Sequence, residues 1–185
     1  GLRLHDTMIY EKSGIAFAAG PHSVRYSQAF EYCFILSKGK PKTVNIIMDK
    51  KNKWAGISSW GNAKARKKTG ELEDAGKKSK ETREFGARTN IWRIVNSGGF
   101  GQSSKEAYKH PATMPEELAR GHIITWSNPG DLVIDPFMGS GTTAAMAIAE
   151  DRNYIGFEID EEYYNLCQSR MKTLNAKITN FLEWL

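Results

Sequence analysis

The stretch that decides the fold is "VIDPFMGSGTTAAMAIAEDRNYIGFEID", Val133–Asp160. Its first residues belong to the apolar run "LVID", as expected of a strand buried in a parallel sheet. Gly139 and Gly141 then break the chain into a turn. The small residues from Thr142 to Glu150 predict a helix that lies close to the sheet, and "YIGFEID" reads as the next strand. Gly139-Ser140-Gly141-Thr142-Thr143-Ala144 fits the loose pattern G-x-G-x-x-G/A. Glu158 follows at the distance of an acid that holds ribose hydroxyls. Glycines let backbone approach a ligand, a helix start presents free N–H groups, and a carboxylate accepts from hydroxyls. The unit is therefore expected to hold a nucleotide-like cofactor. A nicotinamide dinucleotide and S-adenosylmethionine both fit at this level, and so does a tight turn with no ligand. Asp135-Pro136-Phe137 ahead of the glycines separates them. A carboxylate at the strand end repels a pyrophosphate and favours a ligand that carries an ammonium and a sulfonium.

Around this unit, 185 residues with 40% hydrophobic and 25% charged side chains suit one soluble domain with an inserted lobe. No apolar run approaches the roughly 18 residues of a membrane span, and the N-terminus "GLRLHDTMIYEK" lacks a signal-peptide pattern. Cys33 and Cys167 lie far apart and outside any C-x-x-C, which argues for packed thiols in a reducing compartment, hence a cytoplasmic protein, and against a metal site. The net charge of +5 hides an asymmetry. Lys38–Arg88 holds 15 Lys/Arg against 6 Asp/Glu, whereas Asp131–Leu185 holds 4 against 9. The first region wants a polyanion and the second does not. Trp54, Trp60 and Phe85 stand among its lysines, with Trp92 just beyond. They could stack on bases, although each alone is as well explained by packing.

Elsewhere, "DTMIYEK" and "AFEYCFILSKGKP" read as strands, "KPKTVNIIMDKKNK" as a strand and turn, and "TNIWRIVNSGGFGQSS" as a short strand and glycine turn. Residues 60–86, without apolar period, read as a long loop or small lobe. "MPEELARGHIITWSN" predicts a helix with Pro115 in its first turn and Glu116 and Glu117 at its positive end. "EEYYNLCQSRMKTLNAK" predicts another, with Tyr164, Leu166–Cys167, Met171 and Leu174 near helical spacing.

"DPFMGSGTT", "GFEID" and the upstream "HPATMPEEL" together resemble the amino-group DNA methyltransferases that act on cytosine N4 or adenine N6. The order, with H-P-A ahead of the glycine loop and a basic stretch before both, resembles the permuted class whose cofactor half comes last. "TMIYEK" and "FEYCFILSKGKP" resemble two late strands of that class. The resemblance implies an α/β, Rossmann-like S-adenosylmethionine-dependent fold, here partial, with a basic recognition insert. It divides the chain into late sheet strands (1–37), a target-recognition insert (38–100) and a cofactor-binding half (101–185). It implies S-adenosyl-L-methionine as cofactor, with Asp135 near the methionine ammonium and Phe137 lining the pocket. Gly139, Ser140, Gly141, Thr142 and Thr143 would hold the carboxylate end, Glu158 the ribose, and His110, Pro111 and Ala112 would close the pocket from the other side. The partner it implies is double-stranded DNA with a flipped target base, and no membrane. Adenine N6 is favoured over cytosine N4 on family abundance alone.

One part of that pattern is absent. The family's Asp/Asn/Ser-Pro-Pro-aromatic segment directs the amine lone pair and stacks on the flipped base. The six prolines of this chain, Pro21, Pro41, Pro111, Pro115, Pro129 and Pro136, include no Pro-Pro. No catalytic residue is therefore assigned, and the chain alone is expected to be inactive. It reads as the C-terminal portion of a longer protein, as one half of an enzyme shared with a second chain, or as a DNA-binding relative with a vestigial pocket. A nicotinamide-dependent dehydrogenase is the more distant alternative.

Overall fold

The computed structural model describes residues 1–13, 24, 26, 28–58, 64–74, 81–95 and 114–182. These fall into two compact units, one of Gly1–Asn45 with Asn90–Leu185 and one of Ile46–Thr89. Among the described residues no helix is long and apolar enough to cross a membrane.

The first unit begins with an antiparallel hairpin of β1 (Arg3–Ser13) and β2 (Phe30–Ser37), in which Ile9 faces Tyr32 and Thr7 faces Phe34. β7 (Ile91–Val95) joins the other side of β1 in parallel, pairing Tyr10 with Trp92, and gives the order β2-β1-β7. Met8, Tyr10, Trp92 and Ile94 are buried, so alternate residues of β1 and β7 turn one face inward. The helix α1 (Glu116–Trp126) touches this face through Gly121, where a Cβ would stand 2.5 Å from the Trp92 ring. His122 of the next position lies against the same ring, with centroids 4.8 Å apart. Pro115 occupies the N-cap of α1 rather than its first turn, and its carbonyl accepts from Leu118 and Ala119. The far end is tied by Asn45, whose side-chain amide donates to the carbonyls of Ile124 and Ser127.

β8 (Leu132–Asp135) and β9 (Asn153–Gly156) form a second, parallel pair, with α2 (Thr142–Ala149) crossing between them and α3 (Glu161–Leu182) following. Met138, Ala144, Ala145, Cys167 and Met171 make the core of this half, with Met146, Ile148, Tyr154 and Leu174 packed against it. The small residues of α2 are what allow this closeness. Gly141 needs to be glycine twice over, because its φ is +79° and a Cβ would lie 2.4 Å from the Cys167 Sγ. Gly141→Ala combines left-handed strain with overpacking, and we expect a loss of about 2–4 kcal/mol. The midpoint of thermal unfolding of the intact protein reads it; an unchanged midpoint would mean the turn can move away.

The second unit holds two short antiparallel pairs. One joins β3 (Lys50–Lys51) to β6 (Phe85–Gly86), and the other joins β4 (Lys64–Arg66) to β5 (Leu72–Asp74). Of the extended stretch expected over residues 40–53, only Lys50–Lys51 pairs. Of residues 60–86, expected to be a long loop or small lobe, the described part holds the small hairpin of β4 and β5. Trp92 is core, not a stacking platform: it is 6% exposed. Trp54 is exposed, with the Lys53 ammonium 5.3 Å from its ring centroid, and Trp60 lies outside the described residues.

Candidate cofactor site

β8 and β9 are held in register where they end. The Asp131 and Asp135 carbonyls accept from Asn153 and Phe157, each at 2.9 Å, and Met138 N–H donates back to the Phe157 carbonyl. The chain therefore turns at the carboxyl ends of two parallel strands, where α/β sheets bind ligands. Asp135 is half-buried there, and its Oδ1 accepts from the Phe137 N–H at 2.9 Å. That tight turn throws the Phe137 ring outward, where it is 88% exposed.

Gly139 and Gly141 both have positive φ, and Gly141 is the N-cap of α2. No side chain caps this helix, so the N–H groups of its first turn remain for a ligand. Ser140 and Thr142 are nearly fully buried. Glu158 closes the turn from the second strand: its Oε2 accepts from the Gly139 N–H at 2.7 Å and its Oε1 from the Asp160 N–H at 3.0 Å. The Asp160 N–H first, and the Gly139 N–H next, hold this carboxyl below the ordinary glutamate range, so it is ionised at neutral pH. Asp160 itself caps α3, with Oδ1 accepting from Glu162 and Tyr163.

These residues line two neighbouring cavities. One, of about 340 Å³, is bounded by Met114, Asp135, Gly139, Ser140, Thr143 and Glu158 among others. The other, of about 520 Å³, is bounded by Pro136, Phe137, Phe157, Glu158, Ile159 and Tyr164. Phe137 and Glu158 belong to both. The first cavity is lined by the carboxylate residues Asp135, Glu158 and Asp160, and the second mainly by apolar side chains. The first does not suit a pyrophosphate, which would sit among those carboxylates.

Of the residues expected at this site, Asp135, Phe137, Gly139, Ser140, Thr142, Thr143 and Glu158 come together around the first cavity, with Gly141 beneath it as the helix cap. His110, Pro111 and Ala112 lie outside the described residues. One participant escaped the sequence reading. Arg170 of α3, 3% exposed, donates to the Ser140 carbonyl, the Thr142 hydroxyl and the Glu116 carboxylate. The signal was a cation three residues after Cys167 on the apolar face of a helix.

A model of the family described as DNA methylase, covering the N6 and N4 methyltransferases, matches residues 1–169. The orphan methyltransferase M.BamHII of Bacillus amyloliquefaciens is 51% identical over 172 residues, which are 93% of this chain and 63% of that protein. The chain thus spans less than two thirds of that relative's length. Among solved structures, the M1.HpyAVI–SAM complex is 26% identical with a TM-score of 0.56, over 92% of this chain and 63% of that one. The cytosine-N4-specific PvuII DNA methyltransferase has the same fold, at 21% identity and a TM-score of 0.58, over 97% of this chain and 58% of that one. The glycine turn, the acid that closes it and the extent of these matches lead to one conclusion: the chain belongs to the N6/N4 DNA methylase family, with its Rossmann-like α/β fold.

Proposed function

We infer that this chain forms the cofactor-binding and DNA-recognising part of an enzyme that transfers a methyl group from S-adenosylmethionine to an exocyclic amino group of adenine or cytosine in DNA. The observation that carries this is the two-ended cavity at Asp135, Gly139–Thr143 and Glu158. The relative solved as a SAM complex supports it. When bound, S-adenosylmethionine supplies a methyl group made electrophilic by its sulfonium. The protein binds and orients. Asp135 offers a carboxylate to the ammonium, the uncapped start of α2 offers N–H groups to the carboxylate, and Glu158 accepts from the ribose hydroxyls. Phe137, Phe157 and Ile159 offer apolar surface to the adenine. His110, Pro111 and Ala112, which lie outside the described residues, are assigned to the same site by the family resemblance alone.

The methyl-directing segment comes from outside these 185 residues. The sequence has no Pro-Pro-aromatic, and β8 has an open edge where such a segment would be wanted. Because Asp131 and Asp135 bond to β9, the alternate residues Leu132 and Ile134 turn their backbone groups to the opposite side. Among the described residues no strand pairs there. At the start of β8 a cavity of about 440 Å³ separates Leu132 from Ile35–Ser37 of β2, with residues 41–43 and the end of α1 completing its wall. Ile134 and Ile155 also stand exposed on a parallel pair, whose two faces are ordinarily both covered. A further strand with its flanking helices, supplied by more of the same polypeptide or by a second chain, would fill the gap and bring its end beside Asp135. In this reading residues 1–37 are late strands of the catalytic sheet, 38–100 the recognition insert and 101–185 the cofactor half. The enzyme works in the cytoplasm on double-stranded DNA with the target base flipped out. Digestion of DNA labelled by the completed enzyme, with separation of N6-methyladenine from N4-methylcytosine, tests the activity and identifies the amine.

The insert is proposed to hold DNA through phosphates. Lys50, Lys51, Lys53 and Lys68 are exposed in its described part, within the region of +9 balance. Replacing Lys50, Lys51 and Lys68 by Glu should weaken binding to all DNA sequences alike. It should also lower the slope of log affinity against log salt by about 0.9 for each phosphate that is no longer neutralised. An unchanged slope, measured by fluorescence anisotropy, would make these lysines a solvated surface only.

A further inference from the structure

We propose that Arg170 is a positioning residue that sets the part of the pocket taking the amino-acid end of the cofactor; this rests on the cofactor reading above. A buried guanidinium is costly unless its charge and its donors are answered. The inner face of α3 is otherwise apolar at Cys167 and Met171, so an apolar residue would serve packing equally well. Arg170 instead reaches three acceptors on two separate pieces of chain. Its Nη1 donates to the Ser140 carbonyl at 3.1 Å and to Thr142 Oγ1 at 3.2 Å, and its Nη2 to Glu116 Oε1 at 2.7 Å.

Both pieces border the smaller cavity. Ser140 and Thr142 line it directly, and Glu116 opens α1 two residues after Met114, which also lines it. The guanidinium thereby fixes the distance between the glycine turn and the segment that enters α1. It also orders the Thr142 hydroxyl. Since Oγ1 accepts from Arg170, its proton is left to donate, which suits a carboxylate in the cavity. Lysine cannot replace this arrangement, because a single ammonium lacks the planar fork that spans three acceptors. The larger cavity, lined by Pro136, Phe137, Phe157, Ile159 and Tyr164, has no contact with Arg170 among its lining residues.

The test compares two ligands on the full-length enzyme by calorimetry. S-adenosylhomocysteine carries the amino-acid end; 5'-methylthioadenosine lacks it. Arg170→Met and Arg170→Lys should each weaken S-adenosylhomocysteine roughly tenfold, the scale of one charge-assisted hydrogen bond, and leave methylthioadenosine within about twofold. Should Arg170→Met fail to fold, Thr142→Val and Glu116→Gln make the same comparison, with the same selective loss expected. Equal loss for both ligands, or loss for neither, would overturn the proposal and leave Arg170 a packing residue. Failure of the unsubstituted enzyme to bind either ligand would instead overturn the cofactor reading on which it rests.

Discussion

Glu158→Ala should remove measurable affinity for S-adenosylmethionine at working concentrations, a fall of roughly tenfold to a hundredfold for the loss of charge-assisted bonds to two hydroxyls. The effect is large because this carboxylate does two things at once. Each oxygen already accepts one backbone N–H, from Gly139 and from Asp160, and each keeps capacity for a second donor. Alanine therefore deletes the ribose acceptors and also the tie that holds the glycine turn to the second strand. Glu158→Gln separates the two roles. It keeps the shape but puts an amide NH₂ where one oxygen must accept from backbone, so it should fall between wild type and alanine. The pH dependence has a definite sign. The backbone donors lower the folded-state pKa of Glu158, so its contribution is complete above the ordinary glutamate value and is lost only as pH falls through the lower folded value. The difference in affinity between wild type and Glu158→Gln, measured by calorimetry, should stay level from neutral pH to below the usual carboxylate range. A decline centred at the ordinary glutamate pKa, or tighter binding of a nicotinamide dinucleotide than of S-adenosylmethionine, would defeat this account of the pocket.

The site was legible where a residue type has few other uses. Two glycines two apart after an apolar run leave little choice but a tight strand-to-helix turn, and both do take positive φ. Pro115 with Glu116 and Glu117 marks a helix start for reasons of capping and dipole alone. What could not be read was pairing over distance. Nothing local tells that β7 runs parallel to β1 with Tyr10 beside Trp92, more than eighty positions apart in sequence. That pairing is what turns Trp92 from an exposed aromatic near a basic stretch into core. The insert was obscure for a different reason. Its strands are two or three residues long, too short for alternation to emerge from a background of lysine. The sequence reading assigned Asp160 no role, and the structure makes it the cap of α3 at a strand-to-helix junction.

The 185-residue chain by itself should transfer no detectable methyl group to DNA, and joining it to the segment that pairs with β8 should restore transfer. Once the sulfonium has made the methyl electrophilic, what remains is to hold an exocyclic amine in line with it. Orientation of this kind is worth about 7–11 kcal/mol in well-placed intramolecular reactions, and loss of even half would take the rate below a routine assay. No segment of this sequence has the Pro-Pro-aromatic pattern, since none of the six prolines has a proline neighbour, and the acid-proline-aromatic run Asp135-Pro136-Phe137 belongs to the glycine turn. The open edge at Leu132 and Ile134, with exposed Ile155, gives a reason beyond chemistry. A two-stranded parallel pair whose outer edges are both unpaired among the described residues is poorly stabilised and prone to wrong association. Addition of the missing segment, fused or as a separate chain, should therefore raise the unfolding temperature as well as the activity. The restored transfer of labelled methyl groups should vanish again with Asp135→Ala, which removes the carboxylate at the end of β8 without touching the added segment. If the 185 residues alone label DNA at a rate comparable to the completed enzyme, the residues that direct the amine lie within this chain, and the open edge of β8 has another purpose.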